Sequence, residues 1–307
     1  MSQGFEIQVF NRRENKMEIE KVYGDEMVKF AYATPIGRLL GPVIASKMLS
    51  QLYGKSQDSL KSAQKVAPFL KNFNIDIDQY QKGSFKENPI EISYKSFNEF
   101  FIRQFQEGQR TFTPNDDEMG AFAEARYFGH EAMHDDLTIP VKGSMLRAVD
   151  LIGDSELAKD FIGGPLMIAR LCPVDYHRYH YPDDGKTLQA FTVPGDLHSV
   201  NPLALKYRQD IFIKNERRVS ILETDHFGKL AYIEVGATCV GKIVQSFDES
   251  APFKKGDEKG YFLFGGSTVV LCGEKGKWAP SSDMLTNTRA GIETYIQLGD
   301  VVAQTSY

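Results

Sequence analysis

The sequence is short of cysteine, of long apolar runs and of excess positive charge, and each shortage removes a class of protein. Cys172, Cys239 and Cys272 are an odd number with no C-x-x-C pair. They suit buried thiols in a reducing compartment better than a disulfide framework. No uninterrupted apolar stretch reaches the roughly 18 residues of a bilayer-spanning helix, so any membrane contact is expected to be peripheral. The opening MSQGFEIQVFNRRENK lacks the apolar run of an export signal. A net charge of −5 supplies no global basic field, so nucleic acid is not an expected partner. Repeats and low-complexity tracts are absent.

What is present describes a globular chain of 307 residues, 42% hydrophobic and 25% charged, enough for one large domain or two modest ones. Residues 5–22 alternate around a polar turn and predict a hairpin. Residues 26–53 are apolar at helical spacing, interrupted at Pro35 and Gly37, which predicts two short helices. Their stripe either packs on the body of the protein or, with Lys29, Arg38, Lys47 and Lys55, lies in a membrane interface. A helix pair is expected over 59–82, and SFNEFFIRQF at 96–105 predicts an aromatic helix capped by Ser96 or Asn98. From about 118 the texture turns β-branched and aromatic, in runs such as LQAFTVP, DIFIK, RVSILET, KLAYIEVGA and STVVLC. The expected fold class is α+β: an N-terminal hairpin and helical region over 1–110, and a β-rich antiparallel catalytic core over 111–307.

Three patterns carry candidate chemistry. In YFLFGGSTVVL (261–271) two glycines precede Ser267, which fits either a plain tight turn or a self-cleaving one. In the second case the Ser267 hydroxyl attacks the Gly266 carbonyl and moves the acyl group from nitrogen to oxygen. Elimination of the ester leaves dehydroalanine, and hydrolysis then leaves a pyruvoyl group, which condenses with an amine and accepts the electrons freed by loss of CO₂. Such a serine needs a base, and CPVDYHRYHYPDDG offers His177 and His180 among Asp175, Asp183 and Asp184. The third pattern, His130-Glu131-Ala132-Met133-His134, matches the H-E-x-x-H of zinc peptidases, with Glu156 and Asp160 as downstream acids. Gly129 before it and the strand-like LTIPVKG after it predict strand–turn–strand, which points the two rings apart. No metal site is expected.

FGGSTVVL (264–271), DYHRYH (175–180), SFNEFFIRQF (96–105) and VGATCVGKI (235–243) together resemble the phosphatidylserine decarboxylases, in the same order along the chain. KVYGDE (21–26), GDLHSVNPLAL (195–205) and GIETYIQLGD (291–300) extend the resemblance over roughly residues 20–300. The resemblance implies cleavage between Gly266 and Ser267, with Ser267 becoming the pyruvoyl cofactor. It implies that His180 works with an aspartate as the self-cleavage base, and that His177 serves decarboxylation. It also implies phosphatidylserine as substrate, a peripheral site on the cytoplasmic face of a membrane, and a homodimer of processed large and small chains. The same machinery in related enzymes takes soluble amino acids, which keeps a water-soluble amine open as substrate. The chain departs from the family at the aspartate: that position holds Glu124, followed by Ala125 where the family has glycine. Two outcomes follow: Glu124 is a working substitute that orients His180, or the chain folds as a paralogue that never matures.

Overall fold

A computed structural model of the chain describes residues 7–20, 34, 53–133, 147–200, 204, 210–237, 242–265 and 267–306. The apolar segment 26–53 apart from Thr34 and Tyr53, the last histidine of H-E-x-x-H (His134), Cys239 and Gly266 therefore lie outside the described residues.

The first strands are β1 (Gln8–Asn11), β2 (Lys16–Ile19), β3 (Glu118–Gly120), β4 (Ala125–His130) and β5 (Leu166–Leu171). They are followed by β6 (Arg178–His180), β7 (Gly185–Val193), β8 (Arg217–Thr224), β9 (Gly228–Val235) and β10 (Ile243–Gln245). The last are β11 (Glu258–Phe262), β12 (Ser267–Gly273), β13 (Trp278–Pro280), β14 (Glu293–Ile296) and β15 (Val301–Thr305). The helices are short: α1 (Val66–Phe73), α2 (Phe97–Phe101), α3 (Ala148–Ile152), α4 (Ser155–Ala158), α5 (Ile211–Lys214) and α6 (Ser282–Arg289). This is the α+β class expected from the sequence.

Nine strands form one sheet in the order β2-β1-β14-β4-β5-β12-β9-β8-β7. Every pairing in it is antiparallel except β1 with β14. That exception matters for organisation. The N-terminal hairpin, which the sequence groups with the helices, is stitched onto the sheet of the core, and Arg12 fastens it by a bidentate pair to Asp283 on α6. Central β12 reads STVVLCG and is buried at every residue, because β5 and β9 flank it and both of its faces are covered. Edge strand β7 has no buried residue, only partly buried and exposed ones.

Two predicted elements change. DIFIK is the helical turn α5 rather than a strand; Ile211 and Phe212 are both buried, which an alternating strand with one wet face would not allow. The helix pair over 59–82 becomes a 3₁₀ turn at Leu60–Lys65, then α1, which stops where Asn74 takes left-handed backbone with φ 52°, and a second 3₁₀ turn at Ile77–Gln79. By contrast the Ser96 cap holds, its hydroxyl accepting the Glu99 N–H at 3.1 Å.

Two apolar clusters result. The larger one lines the sheet. The smaller gathers α1 and α2 with Tyr80, Tyr94, Tyr176 and Phe264, and so lies against the Gly-Gly-Ser turn.

Candidate active site

Ser267 is the first residue of β12, fully buried, in register with Leu171 at the end of β5. Ahead of it the chain turns through Phe264 and Gly265, and Gly265 takes φ 148°, a region that side-chain-bearing residues avoid. Helix α2 holds the turn from outside. The Asn98 Oδ1 accepts the Phe264 N–H at 2.9 Å, and the Phe264 ring meets Phe97 and Phe101 edge-on at 5.1 and 5.0 Å between centroids.

The imidazole beside Ser267 is His177, whose Nδ1 lies 3.3 Å from the serine Oγ. The other ring nitrogen, Nε2, is 2.8 Å from the carbonyl oxygen of Cys172. A carbonyl only accepts, so the proton sits on Nε2 and the lone pair on Nδ1 faces the serine hydroxyl. The ring is fully buried and stacks on Phe101 at 3.8 Å, and burial pushes its pKa down to about 3. The ring is neutral at working pH, as a base must be to take a serine proton.

His180 is placed elsewhere. It lies three residues further on, at the end of β6, and an odd step along a strand turns its ring to the opposite face. Its Nδ1–H donates to the Gly256 carbonyl at 2.8 Å, and its Nε2 accepts from the Tyr176 hydroxyl at 3.3 Å. Burial lowers its pKa as well.

Glu124 is placed against Arg110 in this structure. It does not hydrogen-bond His180. Its two oxygens take a bidentate pair from Arg110 at 2.6 and 2.9 Å, the Tyr295 hydroxyl at 3.1 Å and the Leu298 N–H at 3.3 Å. A buried carboxylate gains more from a forked guanidinium than from a neutral imidazole, and Arg110 lies close enough to claim it. Ala125 simply opens β4, paired with Ile296. The remaining acids of the histidine segment are also engaged elsewhere. Asp183 accepts from the ring and backbone of His226, and Asp184 from Lys254 and the Lys255 N–H.

The zinc pattern does not form over its described residues, 130–133. His130 closes strand β4 and Glu131 is in a bend, so among the described residues the pattern is not helical, and His134 lies outside them. Glu156 pairs with Lys159 and Asp160 with Lys229, and among the described residues no cluster fit for a metal occurs.

Sequence reasoning passed over the residues that hold the site in shape. Asn98, Phe101 and Arg103 all lie in SFNEFFIRQF, a motif visible from the sequence whose individual roles were not. Arg103, almost fully buried, donates from Nη2 to the carbonyls of Val174 at 2.9 Å and Asp175 at 3.0 Å. Its offset from Phe101 and Asn98 places all three on the segment facing the turn and the histidine.

A family model described as "Phosphatidylserine decarboxylase" matches residues 97–303. The chain is 40% identical to a phosphatidylserine decarboxylase proenzyme of Clostridium novyi, over 96% of this chain and 98% of that one. It is 38% identical to the proenzyme of Desulfitobacterium hafniense, with 96% and 97% covered, and 38% identical to that of Fusobacterium nucleatum, with 96% of each covered.

Proposed function

The chain belongs to the phosphatidylserine decarboxylase family, and we propose that it makes its own catalytic group by cutting between Gly266 and Ser267. Its reaction is the decarboxylation of phosphatidylserine to phosphatidylethanolamine and CO₂. The observation that carries the maturation step is the serine hydroxyl at the head of β12, 3.3 Å from an unprotonated Nδ1 of His177.

The steps balance on residues of this chain. His177 Nδ1 takes the Ser267 hydroxyl proton as Oγ attacks the Gly266 carbonyl carbon. The amide C–N bond breaks, the freed nitrogen takes the proton, and an ester joins the two pieces. Loss of the Cα proton of residue 267 then expels the Gly266 carboxylate. Water adds at the former Cα, and the nitrogen leaves as ammonia. A pyruvoyl group at residue 267 supplies a carbonyl that condenses with the substrate amine and accepts the electrons left by CO₂. The surroundings of Ser267 suit such a group: a buried position, a strand that fixes it, and an imidazole facing it. His177, still facing that position, is placed to return a proton to the substrate carbon.

The lipid substrate and a peripheral membrane site gain support from one surface. A cavity of about 520 Å³, whose lining includes Lys82, Lys86, Lys95, Arg178 and Leu263 together with the acids Asp58 and Glu99, adjoins the turn before Ser267. Phe85 and Ile92 project from the same loop, 46% and 57% exposed. Cations beside exposed apolar side chains suit an anionic lipid surface. No helix among the described residues is long and apolar enough to cross a membrane. The helical region to residue 110 is then the lipid-facing part, on the cytoplasmic face, and the β-rich core the catalytic part, with two copies of the processed chains as the working unit.

Denaturing electrophoresis and mass spectrometry of purified protein test the maturation reading. The expected result is a large fragment ending at Gly266 and a small one with a blocked N-terminus. Intact chains after prolonged incubation would overturn it and identify a non-maturing paralogue. Vesicle co-sedimentation that strengthens with anionic lipid tests the lipid reading, and no binding to any vesicle would leave a soluble amine as substrate.

A further inference from the structure

Ser267 and the two histidines belong to different sheets. Ser267 heads β12 in the nine-stranded sheet, whereas the histidine segment runs into β6 of a second sheet, ordered β10-β11-β6. Strand β11 holds that segment: the Phe262 N–H donates to the His177 carbonyl at 2.9 Å, and Glu258 is in register with His180. From there the chain passes through the turn at 263–266 straight into β12. Maturation therefore cuts one of the covalent links between the two sheets, the one that touches the reacting serine.

Lys259 joins the same two sheets without a covalent bond. Glu258 pairs with His180 and Gly260 with Tyr179, which leaves Lys259 as the extra residue of a bulge in β11. Its side chain is fully buried. The ammonium lies 2.7 Å from Glu234 Oε1 on β9 and 2.7 Å from Gln245 Oε1 on β10, and 5.4 Å from the centre of the Tyr232 ring. Glu234 is also fully buried and forms no other ion pair among the described residues. Glu249 extends the contact. It lies 3.5 Å from the Lys259 ammonium and accepts from Arg218 and, at 3.3 Å, from the Ser220 hydroxyl, both on β8.

Stability alone does not account for such a pair. Desolvating two charges consumes most of their attraction, and an apolar pair of similar volume holds two layers together as well or better. What the ion pair adds is direction: it fixes one point of β11 over one point of β9, where apolar surfaces tolerate sliding. We propose that Lys259 is a positioning residue of the mature enzyme: paired with Glu234, it keeps the histidine sheet in register with the strand that carries residue 267 after the bond at 266/267 is cut. This rests on the reading that maturation cuts there. It does not depend on which histidine acts at which step, since β11 holds both.

Removing one partner alone strands the other charge in the core and endangers folding. The test is therefore the double variant Lys259→Met with Glu234→Leu, which fills similar volume with apolar side chains. Hydrogen exchange of the β6 and β11 amides is compared in two states, the processed protein and the uncut Ser267→Ala proenzyme. In the uncut chain the double variant is expected to exchange within about threefold of the unsubstituted pair, because the turn still joins the sheets. In the processed protein it is expected to exchange at least about tenfold faster. Its decarboxylation should show kcat about tenfold lower, with KM within about twofold of wild type. A merely structural pair predicts equal changes in both states and a normal kcat, and either result overturns the proposal. The wild-type chain supplies a check that needs no substitution. Its β6 and β11 amides are expected to stay protected within about threefold after the cut, and loss of that protection would overturn the latch even if the double variant does not fold. A wild-type chain that never cleaves is seen on the gel before any variant is compared, and it overturns the maturation reading and the latch with it.

Discussion

His177 and His180 stand three residues apart, and each donates one ring N–H to a backbone carbonyl, Cys172 for one and Gly256 for the other. What differs is the group opposite the remaining lone pair. For His177 it is the Ser267 hydroxyl, at the start of a fully buried central strand. For His180 it is the Tyr176 hydroxyl, a phenol whose pKa burial raises and which adjoins no chain break. Two imidazoles with the same kind of support thus acquire different chemistry from their second neighbour alone. Strand alternation decides which ring meets the serine.

The largest effect that would break this comparison is a swap of the two histidines. His177→Ala is expected to slow maturation by about 10²- to 10⁴-fold, the range for removal of a general base. His180→Ala is expected to mature within about threefold of wild type, since Ser267 keeps its acceptor. Pulse-labelled chains followed on denaturing gels measure both. A fast His177→Ala with an uncut His180→Ala would restore the assignment implied by family resemblance and show that the rings exchange places before cleavage.

Much of this was legible from residue types. Two glycines before a serine, and two histidines in six residues, are rare enough patterns to mark chemistry. β-Branched and aromatic runs announced β7, β8, β9 and β12, and Ser96 announced the start of α2. What stayed hidden was partner choice. Nothing local in FAEARYF says that Glu124 faces Arg110, because that pairing depends on how β4 and the segment before β3 meet in space. Spacing in DYHRYH likewise does not say which histidine faces Ser267 until the register of β5 with β12 is known. DIFIK misled for a related reason: a short apolar run reads as a strand until tertiary packing buries two consecutive residues.

A smaller effect sharpens the carboxylate side of the comparison. If Glu124 oriented His180, Glu124→Gln would act on maturation rate. With Arg110 as its partner, the substitution acts on stability instead, costing roughly 1–3 kcal/mol because a buried guanidinium loses its counter-charge but keeps some hydrogen bonding. Chemical denaturation of an uncut Ser267→Ala background should show that loss. The maturation rate of folded Glu124→Gln chains should stay within about threefold of wild type. A normal denaturation midpoint with slow maturation would return Glu124 to the histidine.

The smallest expected effect is a flat pH profile, and it tests the feature that both rings share. Burial lowers the pKa of His177 from 6.5 to about 3, lowers that of His180 too, and brings that of His130 to about 4. The folded values lie below the unfolded ones, so the unfolded chain binds more protons below about pH 6.5. Stability contributed by these neutral rings is therefore complete above that pH and declines as the pH falls from there toward the folded values. The rate behaves differently. His177 keeps its lone pair until its own folded pKa is approached, so maturation per folded chain should change by less than about twofold between about pH 5 and 8. A water-exposed histidine base would lose about tenfold for each unit below 6.5. Chains made in cell-free translation and shifted to buffers across that range would give the rate, with a melting curve at each pH to count the folded fraction. An acid limb centred near 6.5 in folded protein would mean that the ring facing Ser267 is solvated when it acts, and that the closed packing of Phe101 on His177 opens before the cut.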